Sequence, residues 1–330
     1  MSELRRDPVS GDWIIVAPER AGRPKWFSVK KPKRQPSPKK TCPFEDLQKS
    51  GNWPPILSYP NEKNWEVILI PNKYPALSHL KSQSESIAPW PHFVKTGVGS
   101  HDLLLVREHD KGFADISLGR AVDAFLLLQK RYKMLALQKE MVYTSTFFNW
   151  GAGAGASIYH PHFQVLTLPI IPPDIASSLK GSMRYFRKYK RCVHCDMLKF
   201  DIKEKKRVIE KNSSAIAITP FVSREPFEVR IFPRRHLPYF EQTSLPALKS
   251  IIATLQSSLR RIKKYLNDPD FNFFIHTAPL KDHRYSYYHW HIEVLPKIGV
   301  GMPGGFELST GVEINVVDPR LAAAVLKGKG

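Results

Sequence analysis

Two histidine pairs at matching intervals constrain this chain more than anything else in it. His160-Pro161-His162 begins 51 positions after His109, and His289-Trp290-His291 begins 53 positions after His236. The same order surrounds each pair. In the first half HDLLLVREH runs from His101 to His109 as a strand with a histidine at its exit, and Ser117 to Glu140 carries Leu118, Val122, Phe125, Leu126 and Leu135 near helical period. In the second half Phe227 to Pro233 leads to His236, Leu245 to Leu266 reads as a helix, and FNFFIHTAP leads to the second pair. A short knuckle precedes each unit, Cys42-Pro43-Phe44-Glu45 in one case and Cys192-Val193-His194-Cys195 in the other. So many agreements in one order imply a duplicated α+β module, with antiparallel sheets and packed helices. We divide the chain into residues 1–175 and 176–330.

A chain of 330 residues with 42% apolar and 11% aromatic content can fill two such cores. No apolar run reaches membrane-spanning length, and the polar start MSELRRDPVSGDW lacks the core of a signal peptide, so a cytoplasmic protein with no membrane partner is expected. The formal charge of +20 suggests an anionic partner. Much of the charge sits in two runs, Lys30 to Lys40 among prolines and Lys180 to Arg191 with no acid, which read as a solvated linker and a helix surface. Neither run stands beside a helix-turn-helix or RNA-recognition signature, so a zinc-stabilised nucleic-acid-binding protein is a distant alternative.

Three cysteines, two of them tightly paired, fit a metal better than a disulfide framework. The Cys192/Cys195 spacing lets two thiolates reach one tetrahedral Zn²⁺ at about 2.3 Å. His236 and His289 would complete that site, because the repeat brings their strand ends together. Transfer of the pattern to the first half gives Cys42, Glu45, His109 and His160, with a carboxylate in place of a thiolate. Four protein ligands leave no position for substrate, so both sites would be structural.

The chemistry is expected in FFNWGAGAGASIYHPHFQVLTL, Phe147 to Leu168. His160, His162 and Gln164 alternate, so in an extended chain they share a face. The small residues from Gly151 to Gly155 would leave backbone N–H groups open as a concave phosphate site. A neutral imidazole attacks phosphorus without first losing a proton, which makes His162 the candidate nucleophile, with Ser157 and Gln164 as donors to phosphate oxygens. His291 is its counterpart in the repeat. There Glu293 replaces the amide and no glycine loop precedes the pair, so catalysis belongs to the first half.

Together these residues resemble the galactose-1-phosphate uridylyltransferase family of the histidine-triad superfamily. The resemblance runs from DPVSGDWIIVAPERAGRP through PNKYPAL, NWGAGAGASIYHPHFQ and PFEVRIFPRRH to IHTAP, YHWHIEVLP and GGFELSTG. It implies ping-pong transfer of UMP from UDP-glucose to galactose 1-phosphate through a uridylyl-histidine at His162. Nucleotide contacts would fall on Arg20, Arg23, Phe44, Asn72, Tyr74 and Asn149, and the hexose region on Phe306 and Glu307. It also implies a homodimer in which the partner completes the hexose site. Some relatives build an iron site to which His276, His289 and His291 would correspond, but the Cys192/Cys195 pair favours zinc. The GGFE ending is similar to a branch that looks like ADP-glucose phosphorylase, which moves AMP to inorganic phosphate; that is the alternative activity.

Overall fold

The computed structural model describes residues 1–22, 36–78, 90–281, 284–298 and 304–329. Apolar runs flanked by turn residues give the strands of the first module: β3 (Leu57–Tyr59), β4 (Val67–Pro71), β5 (Ser100–Val106), β6 (Tyr143–Trp150) and β7 (His162–Leu168). The second module repeats them as β8 (Val208–Lys211), β9 (Ala215–Ile218), β10 (Val229–Pro233), β11 (Phe271–His276) and β12 (His291–Pro296). All ten form one antiparallel sheet in the order β3-β4-β5-β7-β6-β11-β12-β10-β9-β8. The second five are the first five in reverse, so the modules meet edge to edge at β6 and β11. There Phe271 pairs with Trp150, Asn272 with Asn149 and Phe273 with Phe148.

One long helix per module covers one face of the sheet. Helix α1 (Leu118–Ala136) starts at Ser117, whose hydroxyl accepts the Arg120 N–H at 3.2 Å, and it buries Ala121, Val122, Phe125, Leu128, Tyr132 and Leu135. Helix α4 (Leu245–Tyr265) has proline in its first turn and buries Leu248, Ile251, Ile252, Leu255, Leu259 and Ile262. Their buried faces join Phe163, Val165, Phe148 and Phe273 in one core that crosses the seam. Across it the Phe148 and Phe273 rings stack with centroids 4.9 Å apart. Truncation of one such ring to alanine costs about 3–5 kcal/mol.

Because side chains alternate along a strand, His162 and Gln164 face away from this core. So do Phe147 and Asn149 on β6, Phe274 and His276 on β11, and His291 and Glu293 on β12, in keeping with the pairings Phe147–Gln164 and Phe274–Glu293. The opposite face therefore carries the polar residues of both modules side by side.

The remaining elements have no counterpart in the repeat. A small sheet joins β1 (Glu3–Arg6), β2 (Trp13–Val16) and β13 (Ile314–Asn315). Helices α2 (Pro173–Tyr189) and α3 (Val193–Glu204) link the modules, and α5 (Gly305–Thr310) and α6 (Pro319–Leu326) follow the second. The basic run from Lys180 lies on α2, with Lys180, Arg184, Arg187 and Lys188 exposed. Gly181 is required there, since a Cβ at that position would meet the Val9 carbonyl oxygen at 1.5 Å.

Candidate active site and metal centres

His162 opens β7 and is buried against the edge of the Phe44 ring, 5.2 Å between centroids. Its Nδ1 lies 2.9 Å from the His160 carbonyl oxygen. A carbonyl can only accept, so Nδ1 carries the proton and Nε2 keeps its lone pair. Burial pushes its pKa below the usual histidine value, so the ring is neutral at pH 7. A nucleophile needs that tautomer and that charge state.

A comparable argument orients Gln164. The Ala76 N–H donates to His101 Nδ1 at 3.2 Å, so His101 presents a protonated Nε2, which donates to Gln164 Oε1 at 3.0 Å. The Gln164 amide nitrogen is then the end left for a phosphate oxygen. Asn72 packs its own amide on the same His101 ring, at 3.1 Å from Nε2, and its Oδ1 accepts the Tyr74 N–H at 3.0 Å. The sequence reading took His101 only as the start of a strand. Its signal was faint: His101 and Gln164 face each other only once β5 and β7 pair.

The glycine loop corrects one expectation. Gly153 N–H donates to the Asp270 carboxylate at 2.7 Å, and the N–H groups of Ala154, Gly155 and Ala156 donate to carbonyls of Gly151 and Ala152 within the loop. The Gly153–Ala156 amides are spent inside the protein, so they form no open phosphate cradle. The glycines serve close approach instead: a Cβ at Gly151, where φ is +86°, would meet Asp270 Oδ1 at 2.0 Å.

Among the other expected contacts, Asn149 faces a groove of about 300 Å³ over the seam, shared with Phe147, Asn272, Phe274 and His276. Ser157 is exposed on the loop, Tyr74 is exposed, and Arg20 has a buried Nε with no partner among the described residues. Arg23 lies outside the described residues. Phe306 is exposed and Glu307 half-buried on α5, and no hydrogen bond, ion pair or ring contact among the described residues links α5 to β7.

Both sequence-derived quartets converge. In Cys192, Cys195, His236 and His289, and again in Cys42, Glu45, His109 and His160, the donor atoms lie within 4.8 Å of one another. His236 and His289 turn Nδ1 to Cys195 Sγ at 3.4 and 3.5 Å, and His109 and His160 turn Nδ1 to Glu45 Oε1 at 3.0 and 3.4 Å. Three of the four imidazoles donate Nε2–H to a backbone carbonyl: His236 to Ser286 and His160 to Val106 at 2.7 Å, His109 to Ser37 at 2.8 Å. That outer bond fixes each tautomer with its lone pair facing inward, as metal-binding histidines require. Thiolate and imidazole donors suit zinc, and the carboxylate-bearing quartet suits it less tightly. The three histidines that would correspond to the iron site of some relatives are divided. His289 belongs with the cysteines, while His276 and His291 gather around Glu293.

The second module's counterpart of His162 is built differently. His291 also donates Nδ1–H to the backbone two residues earlier, at 3.2 Å from the His289 oxygen. Glu293, however, is clamped by Arg224 at 2.7 Å and Arg230 at 3.1 Å, with His276 at 3.5 Å. Burial would raise its carboxyl pKa, but Arg230 and Arg224 hold it well below the usual carboxylate range.

The site thus sets a buried, neutral, carbonyl-oriented imidazole beside an amide donor on a duplicated sheet, and the comparisons place that arrangement among nucleotidyltransferase-type enzymes. Residues 179–307 match the family model described as galactose-1-phosphate uridyl transferase, C-terminal domain. An ADP-glucose phosphorylase of Arabidopsis thaliana is 35% identical over 98% of this chain and 92% of its own length. A galactose-1-phosphate uridylyltransferase of Thermotoga maritima is 25% identical over 99% of this chain and 98% of its own. The crystal structure of an Arabidopsis thaliana ADP-glucose phosphorylase with bound ADP-glucose superposes with a TM-score of 0.85 at 33% identity, covering 99% of both chains. The chain belongs to the galactose-1-phosphate uridylyltransferase family.

Proposed function

We infer that this enzyme transfers AMP from ADP-glucose to inorganic phosphate through His162. The observation that carries the covalent step is the His162 ring itself, neutral and held by the His160 carbonyl so that Nε2 is free. Nε2 attacks the α-phosphorus, the N–P bond forms, and the P–O bond to glucose 1-phosphate breaks with its electron pair leaving on oxygen. The ring becomes cationic, and the His160 carbonyl, already accepting Nδ1–H, stabilises that charge. An oxygen of inorganic phosphate then displaces the histidine to give ADP. Gln164, Ser157 and Asn149 would supply donors to the oxygens of the transferred phosphoryl group. The seam groove beside Asn149 is the candidate space for the departing sugar phosphate.

The choice of adenylate is supported by the full-length similarity to an ADP-glucose phosphorylase, which exceeds that to the Thermotoga maritima uridylyltransferase. This reverses the order of the two activities expected from sequence, where UMP exchange with galactose 1-phosphate came first. Zinc in both quartets, as structural sets whose four protein ligands leave no position for substrate, and a homodimer that brings a partner's Phe306 and Glu307 to the hexose, belong to the same proposal. Intact-mass measurement after incubation with ADP-glucose or UDP-glucose tests it. An AMP-sized adduct that disappears in His162→Ala is expected; a UMP adduct alone would restore the uridylyl reading, and no adduct with either would remove the covalent mechanism.

A further inference from the structure

We propose that Asp270 and Asn272, from the second module, are positioning residues that complete the phosphate-facing side of the first module's site. The inference rests on the nucleotidyl-transfer reading above. The glycine loop after β6 carries Ser157 and follows Asn149, yet much of what holds it comes from β11 and the residue before it. Asp270 accepts the Gly153 N–H at 2.7 Å, and Asn272 Nδ2 donates to the Ala154 carbonyl at 2.7 Å. The loop is thus gripped through a donor and an acceptor by two residues two positions apart, Asn272 on β11 and Asp270 just before it. Asp270 is itself anchored, since its backbone oxygen accepts the Lys297 N–H at 2.7 Å.

The glycines of the loop fit that carboxylate. A Cβ at Gly151 or Gly153 would stand 2.0 or 2.8 Å from an Asp270 carboxylate oxygen. The site contains an anion pocket, and the protein fills it with its own side chain. Asn272 acts in a second way: the same Nδ2 donates to Asn149 Oδ1 at 2.8 Å, which leaves the Asn149 NH₂ as the end that can meet a phosphate oxygen. Asn272 orients Asn149 as His101 orients Gln164.

Removal of the carboxylate should loosen the loop and displace its donors from the transition state, without removing any group that touches substrate. Asp270→Ala is therefore expected to lower the maximal single-turnover rate of adenylyl capture from ADP-glucose about tenfold to hundredfold, with half-saturation close to wild type. Formate, which fits the vacated pocket, should restore most of the rate, and Asp270→Asn, which keeps an acceptor oxygen, should retain most of it. Asn272→Asp has no donor for Asn149 and should turn the Asn149 oxygen to the phosphate, so it should lose more than Asn272→Ala. Amide hydrogen exchange of the 151–157 segment gives a readout independent of turnover: protection should fall in Asp270→Ala and return with formate. Capture at the wild-type rate in Asp270→Ala, or a deficit and loop exchange that formate leaves unchanged, would overturn the proposal. If wild-type protein captures no nucleotide, the functional reading fails by itself, and the exchange measurement still decides whether Asp270 holds the loop.

Discussion

The two modules place unlike residues at like positions of one sheet. His162 corresponds to His291, Gln164 to Glu293 and Asn149 to His276, because β6 pairs with β7 as β11 pairs with β12. Both histidines lie on the strand that follows a metal-type ligand, and both donate Nδ1–H to the backbone. In the first module the neighbours are neutral amides, each held with its NH₂ end outward. In the second, a carboxylate takes the place of the amide, with Glu293 locked between Arg224 and Arg230 and His276 beside it. One copy keeps its hydrogen-bonding capacity for a ligand, whereas the other uses it on Arg224 and Arg230. A duplicated scaffold can separate chemistry from structure by changing two or three side chains on one face.

The largest expected effect tests that asymmetry directly. His162→Ala should reduce covalent capture by about 10⁴-fold or more, since it removes the imidazole proposed to form the N–P bond. Capture surviving in that variant would move the nucleophile elsewhere. The metal sites should differ next. Cys195→Ser should lose one metal equivalent and destabilise the protein by about 4 kcal/mol or more, read as a fall in melting temperature with metal analysis. Glu45→Cys should make the first site harder to strip with a chelator, because a second thiolate replaces the carboxylate. A reciprocal exchange comes third. Gln164→Glu should cost capture about 10²–10³-fold with little change in melting, as a carboxylate repels the phosphate. Glu293→Gln should destabilise by about 3–5 kcal/mol by leaving the buried Arg230 and the half-buried Arg224 short of a partner, while capture well below the melting temperature persists. The smallest effect belongs to His101→Phe, which frees Gln164 to rotate and should slow capture about tenfold.

Much of this was legible in the sequence because the repeat makes local patterns check one another. The helical periods that gave α1 and α4, the strand exits at His109 and His236, and both ligand quartets follow from spacing. What escaped lies between elements. Helices α2 and α3 and the small three-stranded sheet have no second copy to confirm them, and His101 shows its role only across a strand pair.

By itself the sequence determined the module, its duplication, the candidate nucleophile and the metal-type donor sets, since each depends on residue type at a period set by the backbone. The tertiary structure alone decided that the modules share one sheet, that Asp270 takes the Gly153 amide in the loop where a phosphate was expected, and which end of each amide faces outward. Those outcomes depend on residues more than a hundred positions apart in sequence, such as Asn149 and Asn272, whose contact exists only after the β6 and β11 edges have paired. Hydrogen-bond direction is a property of such pairs, and no pattern within a single strand encodes it.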